Sequence, residues 1–204
     1  MPKPTFFNLS EEKRQVLINA MKEEFSRVPL HEASVAKIVQ TAGIPRGSFY
    51  QYFEDKDEAF YYLLEQLSKE NRAQFIANLK RFDGDIFEVF IEMFQAMLKQ
   101  FQNKESRNFF RNAFLNMNYK VETTFTQEIN EEKYKQQFSE ISKLINKDKL
   151  NVVNERDVFH VMKIIMAITF QNLIQNFAKE LSYESALEMY ILEINLIKKG
   201  LCKG

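Results

Sequence analysis

No tryptophan, one cysteine, two histidines, five glycines and four prolines occur in 204 residues, and each shortage removes an option. The single cysteine, Cys202, cannot close an internal disulfide, which fits a reducing compartment. Two isolated histidines and one late cysteine assemble neither a His-based triad nor a zinc cluster. A Gly-rich phosphate loop and a nucleophile elbow are both missing, so an enzyme reading has no chemistry to rest on. The carboxylates lie on stretches rich in lysine, where pairing is the routine explanation. So few glycines and prolines, and few alternating β-branched runs, argue against sheets and for an all-α fold. No apolar signal-peptide core follows Met1-Pro2-Lys3-Pro4-Thr5-Phe6-Phe7. The longest apolar stretch, Val158 to Phe170, is interrupted by His160 and Lys163 and is too short to cross a bilayer. These absences lead to the expectation of a cytoplasmic protein with no membrane partner, no metal and no cofactor.

Net charge is also missing, with 28 basic against 28 acidic residues. Residues 1–60 carry eight Lys/Arg against nine Asp/Glu, so no broad positive field is available there. Any polyanion bound by this region must be held by placed contacts.

What is present centres on Ser34 to Lys56. Ala36, Ile38, Val39 and Ala42 give a short helix an apolar side, with Ser34 as its N-cap. Gly43 stands where that helix must stop, because glycine takes a left-handed backbone without a Cβ clash. Ile44 turns inward and Pro45 suits the first position of a second helix. Phe49 and Phe53 share one face and anchor it, which leaves Arg46, Gly47, Ser48, Tyr50, Gln51 and Tyr52 pointing elsewhere. Such an outward face fits the major groove of DNA if the pair is a helix-turn-helix. The bland alternative is a two-helix corner whose tyrosines cover a small core.

The run from Ala42-Gly43-Ile44-Pro45-Arg46-Gly47 through Ser48-Phe49-Tyr50-Gln51-Tyr52-Phe53 to Glu54-Asp55-Lys56-Asp57-Glu58 resembles the TetR family signature. It covers roughly the first quarter of the chain; beyond it the likeness is one of length and helical content. The resemblance implies an all-α protein of about nine helices. Residues 1–55 would be a three-helix DNA-binding head, and residues 56–204 a larger ligand-binding and dimerisation domain. It also implies roles. Arg46 and Gly47 approach base edges, Ser48 reaches a base or a phosphate, and Gln51 lies on the groove side. Tyr50 and Tyr52 meet the phosphate backbone, Lys56 clamps a phosphate, and Ser34 adds a contact from the other flank. Pro45 departs from the usual Ser or Thr and receives no role.

In chain order, residues 1–8 read as a frayed arm in which Lys3 is a possible phosphate contact. Ser10 caps a helix striped by Val16, Leu17, Ala20, Met21 and Phe25, and a loop bearing a solvated His31 follows. Asp55 and Glu58 start a long helix from Lys56 to Arg81, which would serve as a lever between the two domains. Asp83-Gly84-Asp85 breaks the chain. A strongly apolar helix runs from Ile86 to Phe101, then a turn from Asn103 to Ser106, a helix from Arg107 to Met117 and a polar helix from 122 to 146. Asn154 with Asp157 starts a helix that is apolar nearly all round to Leu181, and Ser182 caps the last one.

The last two helices carry surplus apolar surface, so a homodimer through Leu173, Phe177, Leu187, Tyr190 and Ile194 is expected; a two-fold dimer also suits a palindromic operator. Twenty Phe and eight Met suggest a cavity for a small hydrophobic or aromatic ligand among Phe90, Phe94, Met97, Phe110, Phe114, Met117, Met162, Met166 and Phe170. His160 and Lys163 are candidates for an anionic head group, against an interior histidine and a snorkelling lysine. The function expected is a ligand-released transcriptional repressor. The alternative is a hydrophobic-ligand carrier or sensor that acts through protein contacts and does not bind DNA.

Overall fold

The computed structural model describes residues 1–116 and 138–202. Among them regular structure is helical, apart from an isolated bridge between Leu150 and Cys202. The helices are α1 (Pro4–Phe7), α2 (Glu11–Arg27), α3 (Val35–Ala42), α4 (Arg46–Tyr52), α5 (Lys56–Arg81), α6 (Ile86–Gln100), α7 (Lys104–Leu115), α8 (Glu155–Lys179) and α9 (Tyr183–Leu201). A helical run at 138–142 and a 3-10 turn at Lys147–Lys149 lie between α7 and α8. The chain forms two compact units: Met1–Lys69 with Gln102–Thr126, and Glu70–Phe101 with Gln127–Gly204. The first unit therefore takes in α7 and the start of α5 as well as the head.

In the first unit the Ser10 hydroxyl accepts from the Lys13 N–H at 3.4 Å and starts α2. Leu17, Ala20, Met21 and Phe25 are buried as a stripe, but Val16 is 45% exposed. Val16 sits about 100° round the helix from Leu17, outside the stripe that the neighbours cover. The Phe25 ring meets Phe60 of α5 at 5.1 Å, and Phe60 meets Phe109 of α7 at 5.8 Å. α7 begins earlier than expected, because Asn103 is its N-cap and accepts from the Ser106 N–H at 3.0 Å. The first residues are not frayed. α1 buries Phe6 completely, against Phe53 at 5.0 Å and Tyr62 at 5.1 Å.

In the second unit Asp83 and Gly84 both have positive φ, 50° and 74°. A side chain at Gly84 would lie 2.5 Å from the Asn146 nitrogen and the Leu144 oxygen, so glycine is required twice over, by conformation and by space. Asp85 caps α6, accepting from Phe87 N–H (3.0 Å) and Glu88 N–H (3.2 Å). Lys198 of α9 closes on the same corner, 3.3 Å from Asp85 and 3.1 Å from Glu88. α8 starts with the expected capping box, Asn154 and Asp157 each bonding the other's backbone.

α8 packs on α6 and α9, and its Val158, Val161, Met162, Ile165, Leu173 and Phe177 are buried. It is not covered all round, since His160, Lys163, Ala167 and Gln171 are exposed. By length and composition alone its 25 residues would suffice to cross a membrane, more than the interval Val158 to Phe170 suggests. Its buried face is what the core helix of a helical domain presents. α9 is capped by Ser182, which accepts from Ser185 N–H at 3.1 Å, and buries Ala186, Tyr190 and Ile194. Polar bonds fix its register on α8: Tyr190 Oη to Thr169 Oγ1 at 2.7 Å, and Asn172 Nδ2 to Glu193 Oε2 at 2.6 Å. The expected polar helix from 122 to 146 lies, as far as residue 137, outside the described residues.

Candidate nucleic-acid interface

The helix-turn-helix is built by backbone bonds that the sequence signals. Gly43 takes φ 65° and ψ 31°. Its N–H bonds the Gln40 carbonyl (3.3 Å) and the Ile44 N–H bonds the Val39 carbonyl (3.1 Å), the paired bonds of a Schellman ending. Pro45 falls one place before the helix, as N-cap, and α4 starts at Arg46. Phe49 and Phe53 are fully buried, their rings 5.5 Å apart. With that face turned inward, Arg46, Gly47, Tyr50 and Gln51 are exposed, and Ser48 and Tyr52 are half-buried. No neighbour lies within 4 Å of where a Cβ on Gly47 would stand, so the start of α4 presents bare backbone.

Ser34 and Lys56 occupy less simple positions. Ser34 is the N-cap residue of α3, but its side chain makes no capping bond. The Ser34 N–H is instead held from α2, where Glu24, only 4% exposed, accepts it at 2.8 Å. The same carboxylate is held by two bonds from Arg27, both 2.9 Å. Lys56 opens α5 and donates to the carbonyls of His31 and Ala33, both at 2.9 Å. An ammonium has three donors, so these two bonds fix the side chain and leave one for an outside acceptor. Asp55 and Glu58 cap the same helix start, with Glu58 N–H on Asp55 at 2.7 Å and Glu54 N–H on Glu58 at 2.7 Å.

The contributions of Glu24 and of the first residues are not local in sequence. Glu24 lies seven residues from Leu17, on the buried stripe, and that position for a charge is the one signal that marks it. Lys3 does not hang free. Its N–H donates to the Tyr52 carbonyl at 2.8 Å and its Nζ to the Tyr50 carbonyl at 2.7 Å. Thr5 Oγ1 donates to the Gln51 carbonyl.

The residues expected to line an effector cavity divide between the units. Phe110 and Phe114 belong to the first, both buried, their rings 6.1 Å apart. Phe90, Phe94, Met97, Met162, Met166 and Phe170 belong to the second. Met117 lies outside the described residues. Phe94 is fully buried and stacks on Tyr190 at 3.9 Å, and Phe90 meets Phe75 edge-on at 5.3 Å. Met97, Met166 and Phe170 are half-buried. His160 is not an interior histidine, since it and Lys163 are exposed.

Of the residues expected to face a second copy, Leu173 and Phe177 are 1% exposed and Tyr190 and Ile194 are fully buried within this chain. Leu187 is half-buried. Apolar side chains that remain open on the same two helices are Ile164, Leu192 and Leu196, at 46%, 61% and 59%. Among the described residues no group of three His, Cys, Asp or Glu side chains is placed to hold a metal ion.

A short outward helix, braced by a glycine-ended partner and anchored by two phenylalanines, defines a helix-turn-helix protein. Residues 17–61 match the family described as bacterial regulatory proteins, tetR family. Residues 85–201 match the tetracyclin repressor-like C-terminal domain. The chain belongs to the TetR family. Over 53 residues it is 42% identical to the helix-turn-helix-type transcriptional regulator YdgC of Bacillus subtilis (strain 168). That stretch is 26% of this chain and 27% of YdgC, so the match spans about a quarter of that relative's length. Among solved structures it resembles NalD, the secondary repressor of the MexAB-OprM multidrug efflux pump in Pseudomonas aeruginosa. There the TM-score is 0.62, with 15% identity over 95% of this chain and 97% of that one. It also resembles FadR of Bacillus subtilis, solved with stearoyl-CoA: TM-score 0.61 and 14% identity over 87% and 97%. At these identities the likeness is one of fold.

Proposed function

We propose that this chain is a dimeric transcriptional repressor that holds a palindromic operator and releases it when a small hydrophobic molecule binds the region 56–204. One observation carries the reading most directly: Phe49 and Phe53 are fully buried while Arg46, Gly47, Tyr50 and Gln51 stay exposed on the same seven-residue helix. Arg46 reads guanine edges, worth about 1–3 kcal/mol of discrimination if bidentate. Tyr50, Gln51, Tyr52, Ser48, Ser34 and the remaining donor of Lys56 meet bases or phosphates around it.

The dimer forms through the open side of α8 and α9. Leu192 and Leu196 are one turn apart and lead that face, and buried Leu173, Phe177, Tyr190 and Ile194 stiffen it from within. Half-buried Met97, Met166 and Phe170 suit an apolar effector, and the stearoyl-CoA held by FadR makes a long acyl chain a rational first probe. For release, α7 is the natural transmitter. It lies in the stretch matched as the C-terminal domain, yet it packs on α2 within the first unit. An effector that favours one position of α7 would then shift α2, and with it the head, by its differential affinity for the two states. A repressor that reads DNA works in the cytoplasm.

The test is selection from a randomised pool of duplex DNA. The repressor reading expects enrichment of a two-fold sequence with half-sites about one or two helical turns apart, and lower affinity for it in the presence of a bound effector. A pool with no preferred sequence, from protein that still binds long-chain acyl-CoA, would favour the carrier reading instead.

A further inference from the structure

α4 is a helix of seven residues, too short to hold its own ends. Its last intrahelical bond runs from Phe53 N–H to the Phe49 carbonyl at 2.9 Å. The carbonyls of Tyr50, Gln51 and Tyr52 come after that bond and need donors from elsewhere. Each receives one donor, and all three donors come from Lys3 and Thr5: Lys3 Nζ to Tyr50, Thr5 Oγ1 to Gln51, Lys3 N–H to Tyr52. The ammonium also places a positive charge at the negative end of the helix. Phe6 pins the segment in place, buried against Phe53 and Tyr62.

We propose that Lys3, Thr5 and Phe6 form a positioning clamp for operator reading, capping the C-terminal end of α4 so that Tyr50, Gln51 and Tyr52 meet DNA already ordered. The inference rests on the DNA-reading role of α4. The clamp gives Lys3 a task different from that of a phosphate contact. A phosphate contact acts on every sequence alike and contributes to salt dependence. A cap acts on α4 itself, with or without DNA. Without it the last turn frays, and binding must reorder three side chains that now stand ready.

The experiment compares the full chain with Lys3→Met, Thr5→Val, their double variant and Lys3→Arg, none of which removes the buried Phe6. Two readouts are needed: amide hydrogen exchange of the DNA-free protein, and affinity for a selected duplex and for an unrelated duplex of equal length. The clamp predicts exchange at Tyr50–Phe53 faster by roughly three- to tenfold in the double variant, with the amides of α2 unchanged. It also predicts a larger loss of affinity for the selected duplex than for the unrelated one, an unchanged salt slope and recovery in Lys3→Arg. Unchanged exchange in α4, or faster exchange with full affinity retained, overturns the proposal. An equal loss on both duplexes with a slope smaller by about one makes Lys3 a phosphate contact and also overturns it. If no duplex is selected at all, the operator reading falls and this inference with it, while the exchange data still report whether the cap exists.

Discussion

The side chain of Asn112 donates to two consecutive carbonyls at the end of α2, Phe25 at 3.0 Å and Ser26 at 3.1 Å. One residue of α7 thereby satisfies backbone acceptors that α2 cannot satisfy itself. Asn112→Leu removes both donors and is expected to lower stability by about 1–3 kcal/mol, seen as a lower urea midpoint at unchanged slope. Asn112→Asp is expected to cost more, because a carboxylate cannot donate and adds negative charge at a helix C-terminus. A Leu variant with the wild-type midpoint would mean that these bonds contribute little.

Gly47 offers a test in which stability and binding move in opposite directions. Its Cβ position is open, so Gly47→Ala fits without a clash and should stabilise the protein by about 0.5–1 kcal/mol. If the start of α4 approaches DNA as closely as proposed, the added methyl weakens operator affinity. Thermal unfolding and a binding titration on one preparation decide it. A stabilised variant with full affinity would move Gly47 away from the contact.

Alkaline pH probes the second unit. Burial holds the Tyr190 phenol above its ordinary 10.0, and the nearby Glu193 carboxylate adds to it. Lys198 also lies above its ordinary 10.5, because its bonds with Glu88 and Asp85 outweigh the opposing effect of burial. Both groups bind protons more tightly when folded, so their stability contribution is intact below about pH 10 and falls above it. Thr169 gives its own hydroxyl proton to the Ile165 carbonyl at 2.8 Å, so Tyr190 is the donor in their pair. Tyr190→Phe should therefore cost about 1 kcal/mol at neutral pH and lose stability less steeply above pH 10. Urea titrations from pH 7 to 11 check both halves.

Leu192→Glu with Leu196→Glu places two carboxylates on the exposed side of α9. Both side chains are more than half exposed in the single chain, so its fold should survive. Sedimentation is expected to show a monomer, with operator affinity lost alongside. A variant that remains a dimer would locate the pairing face elsewhere.

The head and the helix starts were legible because their causes are local. Gly43 needs only its own backbone, and Ser10, Asp55, Asn154 and Ser182 cap helices that begin one residue later. The limits of α5, Lys56 and Arg81, follow in the same way from a cap and a break at Asp83-Gly84. Features set by distant partners were not legible. The ordering of Lys3–Phe6 depends on Tyr50, Gln51, Tyr52 and Phe53, some 46 to 49 residues away. Ser34 looks like a self-sufficient cap, but its hydroxyl makes no capping bond and its own N–H is held by Glu24 from ten residues upstream. The helical period marked Leu173, Phe177, Tyr190 and Ile194 as apolar, yet a period alone does not tell a side chain covered by its own chain from one awaiting a partner.

The most direct measurement is a comparison of sequence preference for the wild type, Arg46→Ala and Lys56→Ala on the duplex the wild type selects. The account predicts that Arg46→Ala relaxes preference at one position in each half-site, by about 1–3 kcal/mol, and that Lys56→Ala weakens all sequences alike. If neither substitution alters binding, α4 does not face the groove and the proposed mode of operator reading is wrong.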